Sequence, residues 1–204
     1  MKLSIILALL VPYVAMIFGL YVFHNAWIAF IIYHILILIV MISTKNMGYW
    51  KELVKGRNVL IIFLAVLFGI CGGLLIYILA PFIGIKSYIN PALVALGLSG
   101  VSWLVFVFYH SLVNPWFEEA YWRGFLGSKK KSIVLNDIIF AAYHMLVLFL
   151  FLEWYWVLLA FVILITTAWL WRQLARKYNG LFIPMLSHMA GDASIMIVVY
   201  FLAV

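Results

Sequence analysis

The 204-residue chain is 69% hydrophobic and only 9% charged, where a soluble domain is about 45–50% apolar and about 25% charged. No soluble fold of this length hides so much apolar surface, and a bilayer is the solvent that removes the problem. The excess of 13 Lys and Arg over 6 Asp and Glu then marks cytoplasmic loops rather than a nucleic-acid surface. The single cysteine, Cys71, excludes a disulfide framework within one chain and argues against a Cys-ligated metal site.

A membrane span takes roughly 20 apolar residues. Seven segments qualify: Leu3–Phe23, Ala26–Ser43, Val59–Ala80, Pro91–Leu126, Ser132–Leu152, Trp154–Trp171 and Leu181–Val204. The first follows Lys2 as a signal peptide would, but it runs on to Phe23 with no clear small-x-small cleavage site and reads as a retained span. His24 and Asn25 make the turn into the second, where His34 is an isolated structural residue. The short basic stretch Lys45–Asn58 carries Met47, Tyr49, Trp50, Leu53 and Val54, a pattern that suits an amphipathic segment in the interface.

The fourth segment is too long for one straight crossing, and Asn114-Pro115 inside it predicts a kink or break. Asn136 and Asp137 read as a helix start near the cytoplasmic surface. Glu153 reads as solvated at the opposite face, and the many Trp, Tyr and Phe as interface anchors and packing. The expected fold is all-α, a polytopic transmembrane bundle of about seven spans forming one domain over residues 1–204, with no internal repeat.

Charge orients the bundle. Numbering the loops alternately, one side receives Lys2, then Lys45, Lys51, Lys55 and Arg57, then Lys129–Lys131, then Arg172, Arg176 and Lys177; the other receives only Lys86 and Glu153. Such asymmetry predicts a multi-pass protein of the cell membrane with a cytoplasmic N-terminus and an external C-terminus.

A charge at the bilayer centre costs at least ~2.5 kcal/mol, so ionisable residues within spans are candidates for function. Three clusters stand out. In Glu118-Glu119-Ala120-Tyr121-Trp122-Arg123, Glu119 and Arg123 are i,i+4 neighbours and can pair. Glu118, turned by about 100°, has no local cation and is left for chemistry. The bland alternative is that both glutamates pair with Arg123 to hold helices together. Phe140-Ala141-Ala142-Tyr143-His144 and His188-Met189-Ala190-Gly191-Asp192 again place their end residues on shared helix faces. His110, Asn114 and Glu118 also fall on one face, which makes His110 a weaker candidate, more readily explained as packing.

Depth supports one site. Counting from the basic loops, Glu119 lies about 12 Å deep, His144 about 18 Å, and His188 and Asp192 about 12 and 18 Å. One slab in the cytoplasmic half of the membrane holds all three clusters, as a shared water-accessible cavity requires. A buried carboxylate with an imidazole activates water, and a polar pair across the cavity stabilises an oxyanion. No serine elbow or phosphate loop is evident, so the chemistry implied is hydrolysis by direct attack of water.

The ordered trio, Glu-Glu-x-x-x-Arg, Phe-x-x-x-His and His-x-x-x-Asn or Asp on separate spans, resembles the signature of the CAAX-protease and bacteriocin-processing (Abi) family of intramembrane glutamic endopeptidases, over roughly residues 91–204. The family includes type II CAAX prenyl endopeptidases and bacterial members linked to bacteriocin self-immunity. The resemblance implies an endopeptidase acting without metal or other cofactor on a membrane-associated peptide or protein. By the same resemblance Glu118 is the base on the catalytic water, and His144 is its second holder. His188 and Asp192 line the oxyanion site, and Glu119, Arg123 and Phe140 support the motifs. Aspartate at 192 is a departure that matters: asparagine donates to an oxyanion, whereas ionised Asp192 repels it, so Asp192 must be protonated, orient His188, or do something else.

Two other readings stay open. A zinc site would use Glu118, His144, His188 and Asp192, although their spacing is dispersed and no HExxH occurs. A non-enzymatic scaffold or immunity protein would use the cluster only to bind a partner. Apart from the bilayer and a membrane-associated substrate, no partner is implied, nucleic acid least of all.

Overall fold

The computed structural model describes residues 3–82 and 89–203. Lys2, Lys86 and Val204 of the charge and span reading lie outside these. Helix α1 (Leu3–Met16) continues through a π-helical turn, Ile17–Val22, and is followed by α2 (Ala26–Ser43), a 3₁₀ segment (Met47–Val54), α3 (Val59–Leu79), α4 (Ile89–Ala95) and α5 (Gly100–Leu112). Helix α6 (Asn114–Glu118) runs into a second π-helical stretch, Glu119–Phe125, before α7 (Leu135–Leu148), α8 (Trp154–Tyr178) and α9 (Phe182–Ala203).

Among the described residues five helical segments are long and apolar enough to cross a membrane: Ser4–Val22, Ala26–Ser43, Val59–Leu79, Trp154–Tyr178 and Phe182–Ala203. The pair Ile89–Ala95 with Gly100–Phe125, bent by 90°, has the geometry of a broken span or a re-entrant loop and brings the crossings to six where it counts as one span. The remaining apolar helix, α7, has 14 residues and is about 21 Å long, so its irregular flanks make up the rest of its segment. The protein is a multi-pass, all-α membrane protein.

The sharp turn in the fourth segment falls at residues 96–99, not at Asn114-Pro115. Gly97 (φ +77°) and Gly100 (φ +49°) take left-handed conformations there, which glycine adopts without a Cβ penalty. Pro115 sits in the first turn of α6, where its missing N–H is not needed, so the helix is interrupted only at Val113.

Small residues let α9 lie against α3. A Cβ on Gly69 would meet the Ser187 carbonyl oxygen at 2.3 Å, and one on Gly73 would meet the Ser194 carbonyl carbon at 2.4 Å. Ser187 Oγ donates to the Ala65 carbonyl at 2.7 Å and Ser194 Oγ to that of Gly69 at 3.2 Å. This is small-residue and hydroxyl packing of the kind that joins helices where lipid gives no hydrophobic drive.

The 45–58 stretch is built into the bundle rather than lying free beside it. Leu53 is fully buried, and the carbonyls of Glu52 and Lys55 accept from Leu181 N–H (2.8 Å) and Phe182 N–H (3.0 Å). They thereby satisfy orphan donors where α9 begins. Its polar face and exposed Met47 and Val54 account for the amphipathic pattern.

Arg172 and Asp137 also depart from their expected surface setting. They form a buried pair, 2.7 Å apart, and Arg172 also donates to the carbonyls of Ser128 (3.2 Å), Lys130 (2.5 Å) and Ser132 (2.8 Å). Asp137 accepts from Val134 N–H at 3.0 Å, as a helix start requires. Arg172 therefore staples the lysine loop to α7 and α8. His24 takes φ +47° in its turn, and Asn25 Oδ1 caps α2 at Ile28 N–H, 3.1 Å, both as expected.

Candidate active site

Glu118 closes α6 and Glu119 opens the π-helical stretch, in which every residue from Glu119 to Gly124 is buried. π-Bulges cost helix stability and recur at functional sites. Here the wider turn begins at the two glutamates. Around them stand α2 with Tyr33, α7 with Phe140, Tyr143 and His144, and α9 with His188 and Asp192.

The expected Glu119–Arg123 pair is present: Nη1 lies 3.2 Å from Oε1, with both side chains buried. The guanidinium also lies over two aromatic faces, 4.0 Å from the Phe140 ring centroid and 4.9 Å from that of Trp171. Phe140 thus belongs to the cluster as the lid on the cation. Glu119 Oε1 takes a second partner, His188 Nδ1 at 2.8 Å. A carboxylate oxygen accepts, so Nδ1 is the protonated nitrogen there. Trp171 stacks on the His188 ring at 4.3 Å and donates through Nε1 to Ser187 Oγ at 3.0 Å, which fixes the ring plane.

Glu118, 1% exposed, is held more firmly than its lack of a local cation suggested. Its Oε1 accepts from the Tyr33 hydroxyl at 3.0 Å and from the Tyr143 hydroxyl. Trp122 Nε1 donates in turn to the Tyr33 oxygen at 2.9 Å. The other oxygen, Oε2, is buried without a hydrogen-bond partner among the described residues and lies 3.5 Å from His188 Nε2. One oxygen is clamped and the other is presented.

His188 Nε2 is also 3.5 Å from Asp192 Oδ1, while Asp192 Oδ2 faces His110 Nδ1 at 3.4 Å and Asn114 Nδ2 at 3.5 Å. Asp192 therefore meets nitrogen groups on both oxygens. His110, the weaker candidate, does reach the cluster through Asp192. His144 Nδ1 is bonded to the Phe140 carbonyl of its own helix at 2.7 Å, so a neutral ring offers Nε2 as acceptor. No hydrogen bond or ion pair joins His144 to Glu118 among the described residues. It touches the cluster through the rings of Tyr143 (4.1 Å) and Phe140 (4.6 Å).

His34 is not isolated: it is buried, hydrogen-bonded to Asn114 and Tyr109, and stacked on Phe117 at 4.1 Å. The phenols of Tyr33 and Tyr143 escaped sequence reasoning. Tyr143 stands beside His144 within a motif, a usable signal, but Tyr33 has none. Of the four residues of the zinc reading, Glu118 and Asp192 meet at His188 Nε2 while His144 stands apart, and among the described residues no three His, Cys, Asp or Glu side chains are arranged to hold a metal ion.

No curated protein and no solved structure matches the chain. A family model does, type II CAAX prenyl endopeptidase Rce1-like, over residues 100–194. That stretch runs from the start of α5 to just past Asp192 and holds all three motifs. The resemblance to CAAX proteases read from the three ordered motifs is thereby borne out, and residues 100–194 carry the pattern of the Rce1-like type II CAAX prenyl endopeptidases, a family of proteases.

Proposed function

We propose that the protein is an intramembrane glutamic endopeptidase that hydrolyses a peptide bond of a membrane-associated peptide or protein with a water activated by Glu118 and His144. The observation that carries this reading is the divided state of the Glu118 carboxylate, with Oε1 clamped by two phenols and Oε2 buried and, among the described residues, without a hydrogen-bond partner. An oxygen so placed is costly to bury unless it receives a proton donor, and a water is the donor that hydrolysis supplies.

In this mechanism Glu118 Oε2 takes a proton from the water, and His144 Nε2 accepts its second hydrogen and orients it. The oxygen adds to the scissile carbonyl. Negative charge develops on the carbonyl oxygen, and His188, which in this mechanism carries a hydrogen on both ring nitrogens, donates its Nε2–H to it while Nδ1–H stays on Glu119. Collapse breaks the C–N bond, and Glu118 returns its proton to the departing amine. Asp192 keeps His188 in register and Glu119 with Arg123 holds the opposite ring nitrogen. No metal or other cofactor takes part. The site opens toward the cytoplasmic half of a cell-membrane bundle whose N-terminus is cytoplasmic, a reading supported by the grouping of exposed Lys45, Lys51, Lys55 and Lys129–Lys131 on the loops assigned to that side.

The test is peptide cleavage by purified protein in detergent or liposomes, beside a thermal-stability check. Glu118→Gln keeps size and acceptor geometry but removes the base, so kcat falls by about a hundredfold or more while fold and substrate binding persist. His144→Ala and His188→Ala behave alike, and strong chelators leave wild-type activity intact. If Glu118→Gln and His144→Ala retain the cellular phenotype at normal protein levels, the role is scaffolding or immunity. Activity lost to chelation and restored by zinc refutes the metal-free mechanism.

A further inference from the structure

Asp192 is the residue whose chemistry the motif leaves open, and what surrounds it answers the question. Its Oδ2 faces Asn114 Nδ2 at 3.5 Å. Since a carboxylate only accepts, the amide nitrogen must point at Asp192 and the amide oxygen away from it. That oxygen lies 3.2 Å from His34 Nε2, so His34 Nε2 carries the hydrogen. In a neutral ring Nδ1 is then bare, and the Tyr109 hydroxyl, 2.7 Å away, donates to it. Every donor and acceptor is fixed by the next: Tyr109 O–H to His34, His34 N–H to Asn114, Asn114 N–H to Asp192. Flipping the amide breaks two bonds at once, and switching the His34 tautomer breaks its bond to Asn114, the Tyr109 hydroxyl being able to reverse its role.

The chain is rigid as well as directed. His34 and Asn114 are each 4% exposed, and the His34 ring is stacked between Phe117 at 4.1 Å and Tyr33 at 5.7 Å. Tyr33, one residue earlier on α2, donates to Glu118. A single helix therefore holds both ends of the site, the base through Tyr33 and Asp192 through His34 and Asn114. The far oxygen of Asp192 faces His188 Nε2, which also faces Glu118 Oε2.

We propose that Tyr109, His34 and Asn114 form a positioning relay that locks Asp192 and, through it, aims His188 at Glu118. Aspartate then serves at position 192 because an amide on α6 supplies it with a donor. This rests on the proteolytic reading above for its kinetic consequences, but not for its geometry.

The test has two arms on the same purified proteins. In the first, isotope-labelled histidine reports ring-nitrogen protonation by magnetic resonance. Wild-type His34 shows a single tautomer protonated at Nε2, and both Asn114→Leu and His34→Phe shift the His188 ring signals. His34→Gln, whose amide N–H can replace Nε2–H, returns them toward wild type. In the second arm, Asn114→Leu and His34→Phe lower kcat by about ten- to a hundredfold, the worth of a hydrogen bond to a charged group, with KM little changed, and His34→Gln recovers most of the loss. In an Asp192→Asn background, Asn114→Leu costs little more, because the carboxylate it serves is gone.

His188 signals unmoved by both Asn114→Leu and His34→Phe, or equal losses in the two backgrounds, overturn the relay. Should Asn114→Leu fail to fold, Tyr109→Phe removes one hydroxyl only and must still move the His34 and His188 signals. Moved signals in a protein that cleaves nothing leave the relay standing and sink the protease reading instead.

Discussion

Replacing Arg123 by methionine tests the support of the site at its most loaded point. Arg123 and Glu119 are a buried pair 3.2 Å apart, and removing one member of such a pair costs about 3–5 kcal/mol, because the other charge is left without compensation. The guanidinium also gives up its places over Phe140 and Trp171, a desolvated cation–π contact worth about 2 kcal/mol, which the methionine side chain offsets in part by filling the space. Glu119 keeps one partner, His188 Nδ1, which limits the loss to about the pair's own figure. For a chain of this size that is a fall of roughly 6–20 °C in apparent Tm, read in detergent by a thermal shift or aggregation assay. Arg123→Lys recovers part of it, since an ammonium restores the charge but not the planar fork. The decisive variant is the double Glu119→Gln/Arg123→Met. With no unpaired charge left, and with an amide oxygen still available to His188, it should be more stable than Arg123→Met alone. A single variant as stable as wild type, or a double no better than the single, refutes the argument.

Tyr33→Phe and Tyr143→Phe each delete one donor to Glu118 Oε1; each should lower kcat by about tenfold, and the pair by more than the product, since either phenol alone still clamps the oxygen and only the double variant frees it. Asp137→Asn breaks the buried pair with Arg172 and should cost about 3–5 kcal/mol of stability, with faster proteolysis between Ser128 and Ser132 as the loop is released; unchanged cleavage rates there would count against the staple. Reporter fusions after Lys131 and after Lys177 should both read cytoplasmic and one at Val204 external, and opposite readings at the two basic loops would overturn the orientation drawn from charge.

What the sequence revealed and what it hid divide along physical lines. Span positions were legible because an apolar run is a local property, and the Glu119–Arg123 pair because i,i+4 spacing on a helix is a contact rule. The Asn114-Pro115 signal was read too strongly. Proline near a helix start is tolerated, and the 90° bend was written instead in Gly97 and Gly100, whose left-handed angles the sequence merely permits. His34 looked solitary because its partners Asn114 and Tyr109 are some 75–80 positions away, and no periodicity connects helices. Arg172 was assigned to a loop by counting charges, but a buried arginine with a carboxylate and three carbonyls costs little to place inside. Tyr33 is one aromatic among many in the sequence, and only the third dimension shows that its hydroxyl ends on Glu118.

The family match covers residues 100–194, yet that stretch does not make the site alone. Helix α2, outside the match, donates to Glu118 through Tyr33 and to Asn114 through His34. Helix α3, also outside it, seats α9 against Gly69 and Gly73 and so fixes the helix that carries His188 and Asp192. The motif residues supply the carboxylates and imidazoles of the cluster, while the earlier helices supply donors and surfaces that give those groups their direction. Glu118 illustrates the division: its second oxygen is presented because the first is held, and one of the two holders comes from α2. Substitutions at Tyr33 or His34 should therefore change turnover while leaving every motif residue in place.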